Sequence, residues 1–200
     1  MSKMLKNPLS HIFLAYLKLV SKSGRFQLIN GELIKDNTMV GYWHGDSYCM
    51  QLVLAEICKN NEKINVIVTS DRRGDIIEDM IKTKGARALR LPDGMNMRPF
   101  FRKLKEFAIE EEGVLAASLD GPLGPLHEPK KLIFLLAAEA KRPVAYIHFK
   151  YKRVMRLKKR WDKYVIPLPF CSITAVVEDL GIVDNDDLRE FEHIKNKLIV

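Results

Sequence analysis

Short runs of β-favouring apolar residues alternate with segments of helical period along most of this chain, and that alternation limits its fold more than any other feature. "TMVGYW" precedes a helical stretch over 46–59, "INVIVT" one over 75–84, and "ARALRL" one over 97–110. "GVLAASL" is followed by a Pro/Gly loop and a helix over 130–140. "PVAYIHF" and "SITAVVE" then lead into a polar C-terminal helix. Continuously apolar strands of this kind are buried on both faces, so the spacing predicts an α/β fold with a mainly parallel sheet flanked by helices. A length of 200 residues, 47% of them hydrophobic, suffices for one substantial core, and no repeat, low-complexity stretch or linker divides it. Residues 26–200 read as a single domain, preceded by an amphipathic helix within 1–25.

Ligands of such sheets bind beyond the carboxyl ends of the strands, where loops converge and helix N-termini offer free N–H groups. The residues expected there are Trp43-His44-Gly45-Asp46, Ser70 to Asp75, Arg90 with "LPDGMNMR", Asp120 to Pro125, and the basic stretch after Phe149. His44 stands in a tight strand-to-helix turn before a glycine, whereas His11, His148 and His193 fall within a helix, a strand and the terminal helix. An imidazole titrates near neutral pH, so His44 is a candidate general base; the plainer reading is a hydrogen-bonded turn histidine. Arg72, Arg73, Arg90 and Arg98 could converge as an anion clamp, because a guanidinium fork matches phosphate oxygens. "SLDGPLGPLHEPKK" predicts a rigid turn that brings backbone amides close to a ligand, or one in which Asp120 caps a helix or accepts loop N–H bonds.

The formal charge of +8 points to a partner carrying negative charge: nucleic acid, an anionic membrane or a phosphorylated small molecule. Eight Lys/Arg against one Asp gather between Lys150 and Lys163. No nucleic-acid motif accompanies them, and nucleic acid is not expected as a partner. The apolar run from Ile12 to Leu17 is far shorter than the roughly 20 residues that span a bilayer. A basic-flanked helix of this kind either lies among lipid headgroups or packs on the domain's own core. Cys49, Cys58 and Cys171 form neither a disulfide framework nor a zinc spacing, and no dinucleotide glycine pattern occurs. No metal or redox cofactor is expected.

Six blocks in order, "YWHGD", "VTSDRRGDII", "GARALR", "ASLDGPLGP", "RPVAYI" and "WDKYVIPLPF", resemble the glycerolipid and lysophospholipid acyltransferase superfamily over roughly residues 38–180. The nearest likeness is to a bacterial branch named only as a domain of unknown function. The resemblance implies a glycerolipid acyltransferase-like fold in which His44 deprotonates a lipid hydroxyl that attacks an acyl thioester, supplied by acyl-CoA or by an acyl carrier protein. It implies that Arg90 binds acceptor phosphate and that Asp120-Gly121-Pro122 lines the acceptor site, with Ser70 and Arg72 as further substrate-binding candidates. The superfamily's histidine has an acid five residues on; here that place holds Cys49. Asp46, Asp71 or Asp75 is therefore the expected substitute. The expected setting is cytoplasmic and peripheral, on the inner leaflet of the cell membrane, with a lysophospholipid or glycolipid as acceptor. The alternative is a non-catalytic lipid-binding protein on the same fold.

Overall fold

The computed structural model describes residues 8–60, 63–91 and 97–198. Seven strands form one sheet in the order β1-β7-β6-β2-β5-β3-β4. They are β1 (Arg25–Ile29), β2 (Met39–Tyr42), β3 (Ile64–Thr69), β4 (Arg87–Leu91), β5 (Val114–Ser118), β6 (Pro143–Arg156) and β7 (Val165–Ile182). Every neighbouring pair is parallel except β6 and β7, which run antiparallel. The chain is thus a single α/β domain with a mostly parallel sheet flanked by helices, as its alternation predicts.

Helices α1 (Pro8–Ser23), α2 (Ser47–Ile57) and α3 (Arg72–Lys82) cover one face. Helices α4 (Met97–Glu110), α5 (Leu132–Ala140), α6 (Asn185–Arg189) and α7 (Phe191–Lys197) cover the other. The central strand β2 is consequently buried at all four positions, and its alternate residues feed different cores: Val40 and Tyr42 pack with Val53 and Val66, Met39 with Leu115 and Phe134. Local chemistry sets several boundaries. The Asp71 carboxylate accepts from the Gly74 N–H to cap α3, and Asp184 and Asp187 form a reciprocal capping box at α6.

Two expectations change. The basic stretch after Phe149 is not a loop: β6 runs on to Arg156 and returns through β7 as a long hairpin, of which only residues 144–147 of β6 pair with β2. Lys150 and Lys152 face solvent while Phe149, Tyr151 and Val154 pack partly against the core beneath α1 and α2, so only one side of this ribbon is apolar. The helix within 1–25 is also no separate unit, because Leu17 and Val20 are buried against β7 and the Tyr16 hydroxyl donates to the Pro167 carbonyl at 2.9 Å. That helix packs on the domain's own core along one side.

Candidate functional site

His44 opens a 3₁₀ turn, His44–Asp46, between β2 and α2. Its backbone N–H donates to Asp120 Oδ1 at 2.8 Å, and Asp120 Oδ2 accepts from the His127 N–H at 3.4 Å. Asp120 is fully buried at the end of β5, and burial pushes its carboxyl up against these N–H donors, which favour the charged form. Its role is to hold the turn, which is the loop-bonding alternative raised by the sequence, rather than to meet a ligand.

The His44 ring Nδ1 lies 2.9 Å from Asp162 Oδ2. Asp162 sits in the turn of the β6–β7 hairpin with no exposed side-chain surface, while the His44 side chain keeps 21% of its own. Arg160 grips the same carboxylate with two bonds, Nε to Oδ1 at 2.9 Å and Nη2 to Oδ2 at 2.6 Å, and the Tyr164 N–H adds a third donor at 3.3 Å. Burial alone would raise the Asp162 carboxyl, but the bonds from Arg160 and His44 outweigh it and hold it below the ordinary value. An ionised carboxylate can only accept, so Nδ1 carries the proton and the Nε2 lone pair of the neutral ring is left to act as a base. The Trp161 ring stacks at a tilt on His44, with centroids 5.3 Å apart.

Two glycines allow this close fit. A β-carbon on Gly45 would collide with the Asp162 carbonyl oxygen, and one on Gly124 (φ +68°) would collide with the Trp161 ring. Gly45→Ala must therefore push the hairpin turn away from the ring. We expect it to lose about 1–3 kcal/mol of stability in urea unfolding, as overpacking does.

A cleft runs from the strand ends down along β3 as far as Val66. Its cavity is small, about 90 Å³, and opens into solvent. His44, Ser47, Ser118 and Gly121 line it near the strand ends, and Met50, Leu54, Val66, Val68, Ile77 and Leu91 make the rest largely apolar. A polar, base-bearing end on an apolar slot suits a molecule with a reactive head and an alkyl chain.

The expected supporting acids lie elsewhere. Asp46 is buried and accepts from the Tyr151 hydroxyl at 2.6 Å; burial pushes its carboxyl up to about 6 against that bond and the nearby Arg156. Asp71 caps α3, where burial is outweighed by the Gly74 N–H, the Thr69 hydroxyl and Arg73, so that it sits at about 2. Asp75 pairs with Arg90. None of the three bonds the His44 ring, because each is committed to another partner. Cys49 is fully buried among Leu17, Val165 and Ile173, so an acid five residues after His44 would have had to lie in apolar core. The acid comes instead from the hairpin.

Arg90 is also committed: it pairs with Asp75 and, at 3.4 Å, with Glu78, both on α3, and its Nη1 is buried without a hydrogen-bond partner. It does not line the cleft, and neither do the exposed Ser70 and Arg72; Gly121 and Pro122 do. The segment "PDGMN" and the Arg98 side chain lie outside what the structure describes. Asp162 is the residue that the sequence reading missed. Its signal was its isolation as the one acid among eight basic residues. No family model, curated protein or solved structure matches the chain.

Proposed function

We propose that this protein is an acyltransferase of glycerolipid acyltransferase-like architecture, moving an acyl chain from a thioester carrier to a hydroxyl of a lysophospholipid or glycolipid. The observation that carries this reading is the Asp162-oriented imidazole of His44 at the polar end of an apolar cleft. His44 Nε2 takes the proton of the acceptor hydroxyl as its oxygen bonds to the thioester carbon. Asp162 stabilises the imidazolium so formed. Loop N–H groups near Gly121 or Gly45 stabilise the tetrahedral oxyanion. As the carbon–sulfur bond breaks, the imidazolium returns its proton to the leaving thiolate, and the cleft shelters the alkyl chain. Arg90 joins as a phosphate ligand only by exchanging Asp75 or Glu78 for the acceptor.

That same pairing of Arg90 favours a second reading, a lipid-binding protein without turnover. Incubating the protein with acyl-CoA or acylated carrier protein and a panel of lysolipids, with mass-spectrometric detection of the acylated product, separates the two. Product from wild type and none from His44→Ala supports catalysis; equal background from both supports the binding protein.

A further inference from the structure

Three of the most exposed large apolar side chains fall on one line. Ile12 and Leu19 share the outer side of α1 with Ala15, at spacings of three and four residues, opposite the buried Leu17. Continuing that line by one more turn reaches Ser23, whose Oγ accepts from the Phe170 N–H at 3.2 Å. Phe170 on β7 thus ends the row begun on α1. The exposures are 63% for Ile12, 52% for Leu19 and 68% for Phe170.

Phe170 is held in the left-handed region (φ +62°), and so is its neighbour across the ladder, Arg153 (φ +65°), where β6 and β7 slip register after Lys152. Bulky residues rarely adopt that conformation, which is strained for them. Here it turns a phenyl ring and a guanidinium outward, with Arg153 Cζ 5.8 Å from the ring centroid. Little of the charge near the row is compensated, although Arg156 acts on the buried Asp46. Of the eight basic residues from Lys150 to Lys163, only Arg160 forms an ion pair with a carboxylate among the described residues. Lys18 and Lys22, three residues on from Ala15 and Leu19, likewise make no ion pair there.

We propose that the row Ile12–Leu19–Phe170, with Arg153 and the neighbouring lysines, is a docking surface for an anionic lipid bilayer. Apolar side chains enter the acyl boundary while cations stay at headgroup phosphates, a division that a nucleic acid would not call for. The inference deepens the proposed function, because the same hairpin carries Asp162: the element that meets the bilayer also supplies the acid to His44.

Sedimentation with vesicles of phosphatidylcholine alone, or mixed with phosphatidylglycerol, tests it. Wild type and His44→Ala should both sediment with the anionic vesicles, weakly or not at all with the neutral ones, and less at high salt. The combined Ile12→Asp, Leu19→Asp, Phe170→Asp protein should lose binding at least about ten-fold. Arg153→Glu should weaken binding about five-fold or more, on the anionic vesicles only. All these positions are exposed, and Asp tolerates left-handed backbone, so unchanged circular dichroism is expected throughout. Vesicle binding unaltered in the triple variant overturns the proposal. Retention of an oligonucleotide without vesicle binding also overturns it, and so does a dimer that the triple variant dissolves without vesicle binding. Acyl transfer to a detergent-dispersed acceptor should survive in the triple variant. A wild type that sediments but transfers no acyl chain would remove the proposed chemistry and leave the surface standing.

Discussion

Asp162→Asn is expected to lower the acyl-transfer rate by about 10³–10⁴-fold, as loss of an orienting acid does in a hydrolase triad. The carboxylate presents only acceptors to His44 Nδ1 and so keeps the lone pair on Nε2. An amide can offer the ring a donor instead. With its oxygen turned to Arg160 and its NH₂ to His44, it favours the tautomer whose Nε2 is already protonated. The fall should appear in kcat with KM little changed, because Asp162 has no exposed side-chain surface and does not line the cleft. Adding His44→Ala to Asp162→Asn should cost little beyond the slower single variant, since the two groups act as one unit. Arg160, left with a neutral partner, is partly exposed and can rehydrate, so folding should survive. An unaltered rate would return His44 to the status of a structural turn residue.

Asp46→Asn should change the pH dependence of stability by about 3 kcal/mol between pH 4 and pH 7.5. The Asp46 carboxyl, pushed by burial from its ordinary value to about 6, binds its proton more tightly in the folded chain than in the unfolded one. Between those two values the folded state holds the extra proton, so stability falls as pH rises and levels off above about 6. A shift of about two units corresponds to about 3 kcal/mol. Asparagine can still accept from the Tyr151 hydroxyl but has no charge to bury. Any cost from its NH₂ group is independent of pH and offsets the whole curve without tilting it. Urea denaturation at the two pH values should therefore show the variant gaining on wild type as pH rises. Parallel curves would mean that Asp46 is not the group responsible.

The architecture was largely legible because strands such as Ile64–Thr69 and Val114–Ser118 are apolar on both faces, with only Asn65, Thr69 and Ser118 polar, which only a sheet covered on both sides requires. β1 was not, since Arg25–Ile29 is an edge strand of alternating exposure and carries a weak pattern. The hairpin was hidden for a related reason: between residues 150 and 156 only Tyr151 and Val154 pack on the core, so the basic outer side masks the strand pattern. Within the site, His44, Gly121 and Pro122 could be read from their positions after strands, whereas the acid could not. Asp162 lies 118 residues from His44, and no local spacing encodes a contact made by the return of a distant ribbon. The guanidinium of Arg90 shows the opposite failure. Its place at a strand end was right, but carboxylates one and two turns into the preceding helix, α3, had already claimed it.

The 118-residue separation also bears on synthesis. A nascent chain exposes its imidazole early, on what becomes the central strand, and acquires the counter-ion only after residue 162 has emerged and the ribbon has closed beside β2. The His44–Asp162 pair exists only in the completed sheet, so a truncated or half-made copy carries the ring with no carboxylate to set its tautomer.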